Sequence, residues 1–176
     1  MKKVFFIVCI VALATNVFAQ RNMKGEKGIS SAGFNIGYAI ESENAVVGID
    51  YRYNILDRVR LAPSLLYVVK KDRADTWYLN ADAHYLARIS ETITLYPIGG
   101  LNVSVWNYKI PSWTADDPLL LAKWDTESKT RVGLNLGFGV EKRITNDLIA
   151  GVEFRYNWTE RYFNQAMVLT RIAYYF

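Results

Sequence analysis

Few side chains in this chain are able to do chemistry. His84 is the single histidine, Asp82 stands two residues before it, and Ser64 lies earlier in a similar alternating context. Serine, histidine and aspartate are the parts of a hydrolytic triad, provided the histidine reaches the serine and the aspartate holds its ring. A second set is larger: Asp50, Arg52, Arg60, Asp82, His84, Glu153, Arg155 and Arg171. In a dry interior these acids and bases would neutralise one another; around water they would line an ion path or a gate. No His, Cys, Asp or Glu cluster has metal-ligand spacing. Gly137-Phe138-Gly139 lacks the helix that a nucleotide-binding glycine loop needs. Asn157-Trp158-Thr159 fits a glycosylation pattern but reads as a strand end. No cofactor is expected.

The positions of these groups follow from the pattern around them. Period-two alternation bounded by turn residues predicts strands over 31–40, 46–54, 58–69, 76–88, 93–106, 131–141, 148–158 and 167–176. Within them the charged residues all share one parity, and the opposite parity is apolar. In 148–158, for example, Leu148, Val152, Phe154, Tyr156 and Trp158 alternate with Gly151, Glu153, Arg155 and Asn157. Eight strands joined by alternately short and long connectors suit antiparallel up-and-down closure into a barrel. Pro63 and Pro97 each delete a ladder donor, so a bulge or local break is expected at both.

Alternation does not say which parity faces inward, but charge and size do. The charged parity interleaves arginines and tyrosines with Gly33, Gly37, Gly48, Gly133, Gly137, Gly139 and Gly151. Small residues make room for long ones inside a narrow barrel. The apolar parity is almost uniformly large, as a lipid-facing wall is, and the strands have the length a tilted membrane strand needs. Trp77, Trp106 and Trp158 mark one rim; Tyr51, Tyr53, Tyr85, Tyr174 and Phe176 mark the other. Two aromatic girdles are the interface signature of a membrane barrel. The chain is therefore expected to be all-β, an eight-stranded antiparallel up-and-down transmembrane β-barrel. The competing fold is a soluble lipocalin-like binder, with its apolar parity turned inward.

The ends of the chain agree with export. Two lysines, an apolar run from Val4 to Ala14 and the small-residue exit at Ala19 form the three-part layout of a secretory signal. The run is too short to span a bilayer as a helix. Residues 1–20 are expected to be cleaved, leaving 21–176 as one barrel domain. Cys9 leaves with the signal, so no disulfide framework or thiol chemistry is expected. Loss of Lys2 and Lys3 takes the net charge from +4 to +2, too mild a balance to imply nucleic acid.

The chain closes on "MVLTRIAYYF", with Val168, Ile172, Tyr174 and Phe176 on one parity and a bare phenylalanine at the end. With the girdles, this ending resembles the small outer-membrane β-barrel family of Gram-negative bacteria, the OmpX-like and OmpA-barrel-like proteins. The resemblance covers essentially the whole mature chain. It implies that these four residues are an assembly signal read by the barrel-assembly machinery and that outer-membrane lipid surrounds the wall, but it says little about activity. The protein is expected to be non-enzymatic because His84 projects toward a crowded interior with no access for substrate. Some small barrels are lipid A deacylases, but similarity to them would require a serine two residues after the histidine, where Leu86 stands. A lipid-modifying enzyme and a narrow channel remain the alternatives in function.

The segment from Asn107 to Lys129 does not alternate and is too long for a hairpin turn. It carries Trp113, Leu119, Leu120, Leu121 and Trp124, more apolar surface than a solvated loop normally exposes. It is expected either to fold over the barrel mouth or to extend the strands outward. There it either presents an apolar patch to an extracellular or envelope protein partner, the outer leaflet or an extracellular ligand, or packs its leucines onto the rim.

Overall fold

A computed structural model describes residues 26–71, 74–112, 123–159 and 163–176. The proposed signal at 1–20 lies outside the described residues. The strands are β1 (Ser30–Ala39), β2 (Asn44–Leu56), β3 (Val59–Lys71), β4 (Ala74–Tyr85), β5 (Ala87–Arg88), β6 (Ile93–Ser112), β7 (Lys123–Arg143), β8 (Leu148–Trp158) and β9 (Gln165–Tyr175). From β1 to β4 and from β5 to β9 each strand pairs antiparallel with the next, β4 pairs with β6, and β9 returns to β1, so the sheet closes. β5 continues β4 beyond Leu86 on the same side of β6, which makes eight staves. Closure leaves the barrel wall without an edge.

The staves are strongly staggered. From Ser30 the paired residues run through Tyr53, Leu61, Ala83, Gly99, Leu136, Tyr156 and Ala166, and return ten residues along at Ile40, whose N–H meets the Ala166 carbonyl at 2.8 Å. Stagger and tilt are coupled in a closed barrel, and eight strands leave an interior just wide enough for side chains.

Alternation settles the faces. Phe34, Ile36, Ile49, Leu79, Leu101, Val132, Phe138, Trp158 and Ile172 lie on the outer wall and are exposed, whereas Asn35, Asp50, Asn80, Asn102, Asn135, Glu153 and Arg171 point inward and are buried. At the prolines the ladders break without a register shift. No pairs join β2 and β3 between Asp50↔Ser64 and Tyr53↔Leu61, where Pro63 sits; none join β4–β5 to β6 between His84↔Ile98 and Ala87↔Leu95, where Pro97 sits.

Trp106 departs from its expected place, and the form of the 107–129 segment is decided. Trp106 belongs to the inward parity: it packs on the buried cluster Ala39, Val46, Leu66, Val68, Tyr78, Met167 and Leu169 instead of joining the outer girdle with Trp77 and Trp158. Of the two forms expected for 107–129, its described residues take the second and extend the strands outward. β6 and β7 stay paired out to Ser112↔Lys123, far beyond Leu134↔Trp158, the last β7–β8 pair at that end. From Thr126 to Thr130 both parities of β7 are exposed, so no contrast between two environments imposes alternation there. Trp124 pairs with Pro111 in the hairpin backbone; Trp113, Leu119, Leu120 and Leu121 lie outside the described residues.

Candidate functional site: the barrel interior and the projecting hairpin

The interior is layered. Nearest the end with the short turns, Glu26 reaches across the mouth and accepts from Arg88 Nη2 at 2.8 Å and Arg143 Nη2 at 2.6 Å. Behind this clasp is a cavity of roughly 20 Å³, lined among others by Thr94, Glu141, Ile149 and Tyr175, room for about one water.

Next comes the charge network. Arg60 donates through Nη1 to Glu141 Oε1 at 2.7 Å and through Nη2 to Oε2 at 3.1 Å. Arg52 touches three acids: Glu141 at 3.3 Å, Asp50 at 3.2 Å, and Glu153. Arg155 pairs with Asp82 at 2.7 Å and Glu153 at 3.3 Å. Arg171 donates from Nε and Nη2 to both oxygens of Asp50, at 2.6–2.9 Å, and from Nη2 to Ser31 Oγ at 3.1 Å. Four guanidinium groups thus meet the four carboxylates Asp50, Asp82, Glu141 and Glu153, all with side chains no more than 6% exposed. Equal numbers of opposite charges, each hydrogen-bonded, are the condition under which burying them is tolerable. The glycines make the space: a Cβ on Gly33 would stand 2.7 Å from Arg171 Nε, and one on Gly139 would enter the Tyr96 ring.

Above the charges sits a belt of amides. Asn135 Nδ2 donates to Asn80 Oδ1 at 3.0 Å and Asp82 Oδ1 at 2.7 Å, and its own Oδ1 accepts from Asn102 at 2.7 Å and Asn157 at 2.5 Å. The end with the long connections is filled by the apolar cluster around Leu66 and Met167. Phe163 closes over Trp106, with ring centroids 5.2 Å apart, and Arg131 lies 3.4 Å above the Phe163 ring.

The eight inward residues expected to form a network come together, but their pairing was only half legible. Glu153 and Arg171 share the lumen and look level when counted from the turns, which predicts a pair across β8 and β9. The structure assigns them different partners: Arg171 lies opposite Gly151 and turns to Asp50, while Glu153 lies opposite Leu169 and turns to Arg52, Arg155 and Tyr96. Two members were missed in the candidate set, Glu141 and Tyr96. Both have the inward parity, and that was the available signal. Tyr96 accepts from Arg52 at 3.0 Å, donates to Glu153 at 2.8 Å and stacks on His84 with centroids 4.8 Å apart.

The triad does not assemble. Ser64 lies opposite Asn80 and accepts its amide at 3.0 Å, whereas His84 lies opposite Arg60, with Nδ1 3.3 Å from Arg60 Nη2. Asp82 is held by Arg155 and Asn135. His84 is 1% exposed and reaches neither a hydroxyl nucleophile nor a carboxylate in these contacts.

At the far end the β6–β7 hairpin is the feature that reaches out. From Lys123 to Gly133, β7 pairs with β6 alone among the described residues, and Thr126, Glu127, Ser128, Lys129 and Thr130 are exposed. Ser128 Oγ donates to Asn107 Oδ1 at 2.7 Å, and Asn107 Nδ2 donates to Asp75 Oδ2 at 2.9 Å, which ties the base of the hairpin to β4.

The same architecture occurs in solved structures of low sequence identity. The N-terminal β-barrel domain of Pseudomonas aeruginosa OprF superposes with a TM-score of 0.61 at 15% identity, over 85% of this chain and 98% of that one. Ail, the attachment invasion locus protein of Yersinia pestis, gives 0.59 at 16%, over 85% and 99%. A major outer membrane protein of Thermus thermophilus gives 0.65 at 10%, over 86% and 100%. No curated protein matches the chain. The family model for the outer membrane protein beta-barrel domain matches residues 5–176. A closed eight-stave wall, apolar outside and polar within, carries that match through nearly the whole sequence, and the chain belongs to this family of bacterial outer-membrane proteins.

Proposed function

We propose that the protein is a non-enzymatic surface module of the outer membrane that acts through its projecting β6–β7 hairpin. The observation that carries this reading is the contrast between a filled lumen and an open edge. The interior is packed with paired charges, amides and apolar side chains, which supports neither ion flow nor substrate entry. The β6–β7 hairpin rises beyond the last β7–β8 pair, and its β7 edge is unpaired among the described residues. The turns at 57–58, 89–92 and 144–147 face the periplasm, and the end that carries the two longest connections, 113–122 and 159–164, faces outward, the usual asymmetry of such barrels. Ail has been solved in complex with the heparin analogue sucrose octasulfate, so a barrel of this shape has taken up an added ligand. Residues 1–20 act as the export signal. Val168, Ile172, Tyr174 and Phe176, all exposed on the outer wall, act as the signal read by the barrel-assembly machinery.

The test replaces residues 109–128 by a two-residue turn. The trimmed protein is expected to reach the outer membrane and to keep its heat-modifiable migration. Cells displaying it are expected to lose the attachment to cells and coated surfaces that the full protein confers. Unchanged attachment, or discrete ion steps from the full protein in planar bilayers, would overturn the reading.

A further inference from the structure

The exposed stretch of the β7 edge has an unusual chemical order. Residues 126–130 read Thr-Glu-Ser-Lys-Thr. All five are exposed, and they pair on their other side with Lys109, Tyr108, Asn107, Trp106 and Val105. An unpaired strand edge is a template for another strand. If that strand is the same segment run antiparallel, with Ser128 opposite Ser128, then Thr126 falls opposite Thr130 and Glu127 opposite Lys129. Each of these is a favourable cross-strand pair, and like charges directly opposite are unfavourable. A shift of two residues either way sets Glu127 against Glu127 or Lys129 against Lys129. A shift of one sets the charges opposite hydroxyls and exchanges the faces. One register is therefore selected.

We propose that the Thr126–Thr130 edge of β7 is a self-association site, which pairs antiparallel with the same edge of a second copy about a two-fold axis at Ser128. The inference rests on the reading of the hairpin as the interaction surface, and it names the partner. Like charges directly opposite are destabilising, so an edge of one sign resists its own copy; this one carries both signs in the order that attracts a copy. Glu127 and Lys129 already bridge at 3.1 Å within the strand, with side chains 49% and 53% exposed. They exchange partners on association without a new charge being buried. Antiparallel pairing makes the two barrels point in opposite directions, so the copies sit in facing membranes. Neighbours in one membrane run their β7 strands in the same direction and cannot form this pair. Six residues separate Ser128 from Leu134, where pairing with β8 begins, which sets the two rims roughly 40 Å apart at the strand rise. A five-residue edge binds weakly alone, and many edges between two membranes bind by avidity.

The experiment uses the full mature chain refolded into phosphatidylcholine vesicles, with folding checked by heat modifiability and clustering followed by light scattering and by energy transfer between two dye-labelled populations. Wild-type vesicles are expected to cluster. Glu127→Lys and Lys129→Glu each give an edge of one sign, and each is expected to reduce clustering roughly tenfold. Mixing the two variant populations should restore it, because each basic edge then faces an acidic one; the double exchange Glu127→Lys with Lys129→Glu in one chain should also restore it. Dispersed wild-type vesicles, single variants that cluster as wild type does, or a mixture that stays dispersed would each overturn the proposal. If it fails while the trimmed hairpin still abolishes attachment, the surface role stands and the partner is another molecule.

Discussion

The contact between Asp50 and Arg171 is the sharpest place to perturb the interior. Arg171→Met removes the donors at 2.6–2.9 Å from Asp50, yet Asp50 keeps Asn35 Nδ2 at 2.6 Å and Arg52 Nε at 3.2 Å. Breaking a buried pair costs about 3–5 kcal/mol, and the two remaining donors put this variant near the lower bound, about 3 kcal/mol. Asp50→Asn leaves Arg171 with Ser31 Oγ as its other hydrogen-bond partner, so its cost should be higher, about 4 kcal/mol. The double variant leaves neither charge unpaired by the other and should cost about 2 kcal/mol less than the sum. The comparison pair is Glu153→Gln with Arg171→Met. These residues connect only through Arg52 and Asp50, so their coupling should stay below about 1 kcal/mol. Urea unfolding of the refolded barrel in vesicles, followed by tryptophan fluorescence, measures all of these on one scale. Strict additivity for Asp50 and Arg171, or a larger coupling for Glu153 and Arg171, would refute the pairing described.

Two further outcomes follow from the same contacts. Tyr96→Phe keeps the ring stacked on His84 but removes the hydroxyl that links Arg52 to Glu153. It should cost about 2 kcal/mol in the same unfolding assay, and a loss below about 0.5 kcal/mol would show that the hydroxyl is not structural. Phe176→Ser retains the backbone bonds to Ser30 at 3.0 and 3.2 Å and removes a ring that is 65% exposed. The amount of protein in the outer membrane should fall sharply while the unfolding midpoint of the refolded barrel hardly moves; equal effects on both would remove its role as an assembly signal.

Parity was the strongest thing the sequence carried, because lipid on one side and a narrow lumen on the other leave no third environment along a strand. It placed Asp50, Arg60, Asp82, Glu153 and Arg171 inside without any contact being known. Partners were not legible, because they depend on stagger. With a displacement of ten residues per circuit, residues level by counting from turns are not level in space, and a guanidinium reaches diagonally past its nearest neighbour. Arg171 finds Asp50 two staves away because Gly33, on the stave between them, has no side chain to block the path. The rule that the inner face is polar also fails at one end. Leu66, Val68, Met167 and Leu169 have the inward parity and are no more than 3% exposed, so the lumen is closed there by apolar packing. A polar-against-apolar reading of β3 ends at Ser64, where both parities turn apolar.

The hairpin was hidden for the opposite reason. Alternation records two unlike environments, and from Thr126 to Thr130 both parities of β7 are exposed. Thr126, Glu127, Ser128, Lys129 and Thr130 therefore look like a loop by every periodicity measure, although they are paired with β6 residue by residue. Their strand character is set by partners: β6 is fixed by β4 up to Ala74↔Tyr108, and β7 follows β6. Once pairing instead of periodicity defines this segment, its polar sequence gains a meaning that a solvated loop would not have. The order of hydroxyls and opposite charges becomes a register, and a register on an open edge specifies which strand can lie beside it.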